Sequence, residues 1–205
     1  RRQQDSDAHR GHQAEMLERA RKVYPLEVLR HCINRGLGET ERDGFERLAE
    51  LAEPHDVIVR LDCDDTHEPH YIPAMLDKLD SGFDVVNTSR FQPGGGQAGV
   101  NAYRGFISRS ANLFMRMLFR IRGVKDCTCG YRAYRARAVQ DALAIFGNSF
   151  IQLKGLGFTG TVETIVKLKL LGCRFAEVPF VLRYDKKQGQ SKMVTSVTTL
   201  GYMVL

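Results

Sequence analysis

The spacing of apolar residues divides the chain into short extended runs and longer stretches of helical period. Met16, Leu17, Ala20, Val23 and Tyr24 recur at helical spacing after Asp5-Ser6-Asp7, a group able to supply an N-cap. Leu26 to His31 reads as a strand. The glycine-punctuated loop Asn34-Arg35-Gly36-Leu37-Gly38 precedes a helix with Phe45, Leu48, Ala49 and Ala52 on one face. Pro54 then separates that helix from Val57-Ile58-Val59-Arg60-Leu61, whose near-continuous apolar character is that of a strand buried on both sides. Ile72, Met75, Leu76 and Leu79 predict the next helix, and Asp84 to Thr88 a strand. A loop, Pro93-Gly94-Gly95-Gly96-Gln97-Ala98-Gly99, leads to a long helix from about Tyr103 to Phe119. A strand near Tyr131 to Arg135, a helix at about 159–171 and a strand at about 174–181 follow.

Strands alternating with helices predict an α/β fold, a largely parallel sheet covered on both faces. No internal repeat or linker interrupts the pattern, and 205 residues suit one domain with a proper core. We expect a single catalytic domain over residues 1–192. Because the first helix has no strand ahead of it, we also expect an N-terminal strand to be missing from the sheet.

The strand at 57–61 runs into Asp62-Cys63-Asp64-Asp65-Thr66-His67-Glu68-Pro69. Carboxylates so close repel one another unless a cation holds them, and a hard divalent metal is the natural cation at the carboxyl end of such a strand. In an extended segment Asp62 and Asp64 point the same way. The alternative is an acidic turn with one Asp capping the helix that starts near Tyr71. A calcium-binding helix-loop-helix is excluded by register: with Asp62 first, His67 stands at the turn glycine and Pro73 at the bidentate glutamate.

Two segments match a dinucleotide fingerprint. Gly94-x-Gly96-x-x-Gly99 lies beyond its strand and behind a proline, so it does not open a helix directly. Gly155-x-Gly157-x-x-Gly160 has a candidate strand at Phe150 to Leu153 before it, a helix after it, and Glu177 at a distance suited to a ribose. Only one further strand follows, however, where a dinucleotide half-domain needs three. The five cysteines are scattered with no C-x-x-C, which reads as reduced thiols rather than a zinc site. A net charge of +6 suits a polyanionic partner, and the lack of aromatic-and-basic interleaving argues against nucleic acid.

Taken together, Asn34 to Gly38, Asp62-Cys63-Asp64 with His67 and Pro69, Ser89-Arg90, the Gly94 to Gly96 loop, Arg104 with Ser108-Arg109, Asp126 to Arg132, Glu177-Val178-Pro179-Phe180 and Gly189-Gln190-Ser191-Lys192 resemble, in order, the family-2 glycosyltransferases. Within them the chain is similar to the polyprenyl-phosphate sugar transferases, the dolichol-phosphate mannose synthase-like group. The resemblance covers residues about 14–193. It implies a GT-A-type, Rossmann-like, mostly parallel sheet with helices on both faces, and inverting transfer of a sugar from a nucleotide diphosphate to the phosphate of a polyprenol.

On that resemblance Asp62 and Asp64 hold Mg²⁺ or Mn²⁺, with Thr66 where some relatives carry a metal-touching Gln; Thr66 has only a hydroxyl or a bridging water to offer. The donor, GDP-mannose or a UDP-hexose, falls to Asp7, Asn34, Gly36 and Asp62. The acceptor phosphate falls to Arg90, Arg104, Ser108, Arg183 and Lys192, Arg104 and Ser108 sharing one helix face. Asp62, Asp64, Arg104 and Lys192 form the catalytic set. Glu163 and Asp126 are expected to orient, Asp126 equally as a cap for the turn through Gly130, and His67 to fix the acidic turn. The apolar tail 193–205, behind Lys186, Lys187 and Lys192, reads as an interfacial helix or the start of a membrane segment at the cytoplasmic face. Rival readings are a carbohydrate hydroxyl as acceptor, which needs a true base, an NAD-dependent oxidoreductase, and a non-catalytic nucleotide-sugar or membrane-binding module.

Overall fold

The computed structural model describes residues 15–153 and 159–186, without the side chains of residues 103 and 104. The chain divides into two compact units, Arg1–Asn34 and Arg35–Leu205. In the first, residues 15–21 are helical, braced on the solvent side by Arg19 to Glu15 (2.6 Å) and Arg21 to Glu18 (3.3 Å). The strand expected at Leu26 to His31 does not form. An extended run becomes a strand only when another backbone takes up its N–H and C=O groups, and the described residues of this unit offer none.

The second unit begins with helix α1 (Leu37–Leu51) and strand β1 (Val57–Arg60), followed by a 3₁₀ turn at Pro69–Tyr71, α2 (Ile72–Asp80) and β2 (Val85–Ser89). Next come β3 (Gly96–Ala98), α3 (Ala102–Phe119), β4 (Arg132–Arg135), α4 (Ala136–Phe146), α5 (Thr159–Leu170), β5 (Phe175–Pro179), β6 (Val181–Arg183) and a 3₁₀ turn at Tyr184–Lys186. The main sheet has the order β1-β4-β2-β5. β2 and β5 are parallel, from Val85 beside Phe175 to Ser89 beside Pro179. β4 runs against both of its neighbours, pairing Arg60 with Arg132 on one side and Asn87 with Arg132 on the other. β1, β2 and β5 thus share one direction, and β4 alone is reversed. β3 and β6 form a separate parallel pair.

Alternate residues of each strand feed two cores, one on each side of the sheet. Ile58, Val85, Tyr134 and Phe175 face Phe45, Val139, Ala142, Val162, Ile165 and Leu168 of α1, α4 and α5. Val86, Ala133, Ala176 and Val178 face Met75 and Leu79 of α2, with Tyr131 and Phe180. Helices therefore cover both faces, as the alternation of elements implies.

Between β4 and α5 the structure adds a helix and overturns one expectation. Residues 136–146 are helical, with Ala136, Val139, Ala142, Leu143 and Phe146 on the buried or half-buried side. Phe150 to Leu153 is not a strand: Gly147, at φ 51, ends α4 and starts a 3₁₀ turn. The second dinucleotide fingerprint thereby loses its strand, and its Gly155 and Gly157 lie outside the described residues. The first fingerprint contains β3, which pairs with β6 and opens no helix.

Candidate active site

The acidic turn leaves β1 at Arg60 and is closed by its own side chains. The Thr66 N–H and hydroxyl both donate to Asp64 Oδ1, at 3.3 and 2.6 Å, and the Asp62 N–H donates to His67 Nδ1 at 2.9 Å. Asp65 carries the reversal at φ 61, a conformation that Asp tolerates better than most side chains. Neither the 3₁₀ turn at Pro69 nor α2 receives a side-chain cap, so the acids do not serve as caps for the helix that follows.

His67 fixes this turn, stacked on Tyr131 at 5.0 Å with Phe180 edge-on at 5.6 Å. Burial pushes its pKa down against the pull of the Asp62 charge. Accepting at Nδ1, it is the neutral tautomer with its proton on Nε2. Behind the turn, Arg60 donates to the half-buried Glu41 and stands 3.7 Å from Asp62 Oδ1.

The donor chemistry here is that of hard oxygen. Asp62 is 40% exposed, enough to meet a ligand from solvent, while Asp64 is held by Thr66. Among the described residues no three His, Cys, Asp or Glu side chains converge on one point. Asp62 and Asp64 are the oxygen donors here that would hold a hard divalent cation such as Mg²⁺ or Mn²⁺.

A second turn, Lys125 to Tyr131, lies against the first: the Arg60 guanidinium occupies the space that a side chain at Gly130 would need. Asp126, fully buried, anchors it. Its carboxylate receives Arg90 Nε at 2.7 Å, Arg90 Nη2 at 2.8 Å and the Arg90 N–H at 3.1 Å, together with the N–H groups of Thr128 and Cys129. Burial alone raises the pKa of this carboxyl, but the Arg90 charge and these bonds outweigh burial and hold it below the ordinary value. Arg90 also donates to Thr128 Oγ1 at 2.7 Å and, through Nη1, to Ser108 Oγ at 3.3 Å. Two expected acceptor groups, Arg90 and Ser108, are thus adjacent, with the Arg90 charge matched inside the fold by Asp126.

Glu177 accepts the N–H groups of Lys125 and Asp126, both at 2.7 Å, and Gln92 Nε2 at 2.9 Å. Burial raises its pKa in spite of these bonds. Committed to this turn, it is not placed for a ribose. Asn112 spans the same turn between the Lys125 carbonyl and the Cys127 N–H. Arg132 donates to the carbonyls of Thr161 and Cys127 at 2.5 and 2.9 Å.

Glycosyl transferase family 2 matches residues 7–143. The chain belongs to this family. It is 33% identical over 175 residues to an undecaprenyl-phosphate mannosyltransferase of Micrococcus luteus, covering 85% of this chain and 68% of that protein. It is 30% identical to a dolichol-phosphate mannosyltransferase of Pyrococcus furiosus, covering 83% of this chain and 44% of that protein. It is also 30% identical to a polyprenol monophosphomannose synthase of Mycolicibacterium smegmatis, covering 82% of this chain and 60% of that one. The family-2 chain therefore spans between 44% and 68% of the length of these relatives.

The remaining expected residues of this family-2 glycosyltransferase are placed as follows. Glu163 is buried and receives the Gln152 N–H at 3.0 Å, the Leu153 N–H at 2.9 Å and Lys167 Nζ. It fixes the backbone that follows Phe150 and Ile151 out of the first core. Arg183 ends β6; its N–H donates to the Thr66 carbonyl at 3.3 Å and its guanidinium pairs with Asp185 at 2.7 Å. Gly36, at φ 84, is the N-cap of α1, and Asn34 closes the first unit. Arg104 stands on α3, its side chain outside the described residues, as are Asp7, Lys192 and the tail 193–205.

The sequence pattern alone did not single out Asn112 or Gln92, because a polar residue within a helix or loop carries no periodic signal; Thr128 and Arg132 stood inside the Asp126 to Arg132 motif without a role of their own. The outer side of α3 was equally unmarked. Phe106, Leu113, Phe114, Met117 and Leu118 are exposed there, beside exposed Arg109, Arg116, Arg120 and Arg122. From Arg90 to Lys125 the sequence contains no Asp or Glu. No described helix is long and apolar enough to cross a membrane.

Proposed function

We propose that this family-2 glycosyltransferase moves a sugar, mannose in the first instance, from a nucleotide diphosphate to a polyprenyl phosphate at the cytoplasmic face of a membrane. The observation that carries the reading is the closed acidic turn of Asp62 and Asp64 set against a turn organised by Arg90, Asp126 and Ser108. The names of the three relatives, each a polyprenol or dolichol phosphate mannose transferase, favour mannose and hence GDP-mannose over a UDP-hexose.

Asp62 and Asp64 would hold Mg²⁺ or Mn²⁺, with Thr66 orienting Asp64. When bound there, the metal supplies Lewis-acid stabilisation to the leaving diphosphate. Gly36, the N-cap of α1, is assigned to the donor with Asp62 and Asp64. The acceptor needs no strong base, since a phosphomonoester with a second pKa of about 6 is mostly dianionic at neutral pH. Its oxygen attacks the anomeric carbon with inversion, and the bond to the nucleotide diphosphate breaks with its electron pair on the diphosphate. Arg104, Arg183 and Lys192 offset the charge of the incoming phosphate. Ser108, held by Arg90, adds a hydroxyl, and Asp126 and Glu163 keep the surrounding backbone in place. Glu163 is spent on two backbone N–H groups and a lysine, which weakens the rival in which it serves as base toward a sugar hydroxyl.

The exposed apolar side chains of α3, set among arginines with no nearby acid in sequence, suit an anionic lipid surface. The test is transfer from radiolabelled GDP-mannose, UDP-glucose and UDP-GlcNAc to undecaprenyl or dolichyl phosphate, with and without Mn²⁺. Metal-dependent lipid-linked mannose is expected. Transfer only to a free sugar hydroxyl, or none to any acceptor, overturns the reading.

A further inference from the structure

Glu68 presents an electrostatic problem. It adds a fourth carboxylate to a turn already carrying Asp62, Asp64 and Asp65, and it caps neither the 3₁₀ turn that follows nor α2. Its charge is met from the far end of the chain. Lys186 Nζ lies 2.6 Å from Glu68 Oε1, and Arg183 Nη1 lies 3.8 Å from the same oxygen. The hydrogen bond from Lys186 holds the Glu68 carboxyl below its ordinary pKa.

Around this pair the two segments are stitched together by backbone. The Arg183 N–H donates to the Thr66 carbonyl at 3.3 Å, and the Val181 N–H donates to the Tyr71 hydroxyl at 3.1 Å. The Tyr131 hydroxyl in turn donates to the Glu68 carbonyl at 3.1 Å. On the other side, Gly99 at φ 73 lets β3 approach so closely that a Cβ there would stand 2.5 Å from the Asp185 nitrogen. The strip 181–186 is thus gripped between β3 and the acidic turn. Lys186 ends it and opens Lys186-Lys187-Gln188-Gly189-Gln190-Ser191-Lys192.

We propose that Glu68 is a positioning residue, its carboxylate latching Lys186, and with it the origin of the basic segment 186–192, to the turn that carries Asp62 and Asp64. The inference rests on the proposed function for what the two sides bind: the turn serves the donor diphosphate and the basic segment the acceptor phosphate. The Glu68–Lys186 pair then adds to the Arg183 and Val181 bonds in keeping one side in register with the other. Glu68 touches neither substrate, so its loss acts through Lys186.

The test is hydrogen exchange on the full ligand-free chain, followed in the peptide containing the Val181 and Arg183 amides. A partly exposed ion pair is worth little, so Glu68→Gln and Glu68→Ala should speed exchange there by about two- to five-fold while leaving the core amides of β2 unchanged. High salt should bring the wild type toward the variants, and the exchange of charges, Glu68→Lys with Lys186→Glu, should restore slow exchange. In transfer assays Glu68→Gln should raise KM for polyprenyl phosphate with donor affinity unchanged. Unchanged exchange in Glu68→Ala, or a charge exchange that behaves no better than its single variants, overturns the latch whatever the activity. If exchange responds as described while the wild type transfers nothing to polyprenyl phosphate, the latch stands and the proposed function falls.

Discussion

Replacing Asp126 by Asn tests whether the turn through Gly130 is held by charge or merely by shape. The side chain is fully buried, and its partner Arg90 has only 10% of its side chain exposed, so solvent screens the pair little. Asparagine keeps the volume and one acceptor oxygen but leaves the Arg90 guanidinium without its counter-charge. Removing one partner of such a buried pair costs about 3–5 kcal/mol, whereas an exposed pair is worth at most about 1 kcal/mol. With a urea m-value near 2 kcal/mol/M, the unfolding midpoint should fall by roughly 2 M. The pH dependence has a definite sign. The folded pKa of Asp126 is depressed, so its contribution is complete above the unfolded value of about 3.9 and is lost as pH falls through the folded value. Urea titrations of the wild type and Asp126→Asn should therefore differ fully at pH 6–8 and converge in strong acid. Adding Arg90→Leu should recover part of the loss, since the stranded cation is removed too. A midpoint shift under about 0.5 M, or no recovery in the double variant, would refute the reasoning, because Thr128, Cys129 and Asn112 would then suffice to hold the turn.

Asp64→Asn should abolish Mn²⁺-dependent donor binding by calorimetry with the melting temperature little changed; unchanged affinity with a lower melting temperature would make the acids structural. Arg104→Ala and Lys192→Ala should each impair use of polyprenyl phosphate by roughly 10- to 100-fold, the loss expected for a charge-assisted contact, and an equal fall in donor affinity would move them to the donor side. Phe106→Ser with Met117→Ser should weaken sedimentation with anionic vesicles by at least about ten-fold, given that each side chain is worth about 1.5–3 kcal/mol when buried in an apolar medium. Vesicle binding that is unaffected by this pair, or by deletion of residues 194–205, would separate membrane contact from the segment tested.

The strand β1 was legible because it is a short, near-continuous apolar run, and the helices α1, α2 and α3 because their apolar residues repeat with the helical period. α4 carries the same period, but on Ala136, Val139 and Ala142, whose small side chains make a weak signal. β3 and β6, three residues each, are too short to show a period at all. The reversed direction of β4 was invisible because alternation reads the same from either end of a strand. At the site, the acidic turn, Arg90 and Ser108 stood out as motif residues. His67 and Asp126 were expected to fix the two turns, whereas Asn112, Gln92 and Glu177 were not expected in that role. Glu177 looked like a ribose ligand because its spacing from a glycine motif was right, and only the contacts it makes with Lys125 and Asp126, far away in sequence, reveal what it holds.

The reversal of β4 also sets an order in time. Because β4 enters the sheet at the end where β1 leaves it, the ring that stacks on His67 and the turn that rests on Arg60 both come from the segment just before β4. Tyr131 follows Asp62 by roughly 70 residues, which at about 5–20 residues per second is several seconds of synthesis. During that interval a turn rich in carboxylates stands beside an unpaired strand, with no ring to seat its histidine. The strip that carries Lys186 arrives later still. A nascent chain arrested between α3 and β4 should therefore hold the acidic turn without the surroundings that shape it, and the site should mature only as the last strands are made.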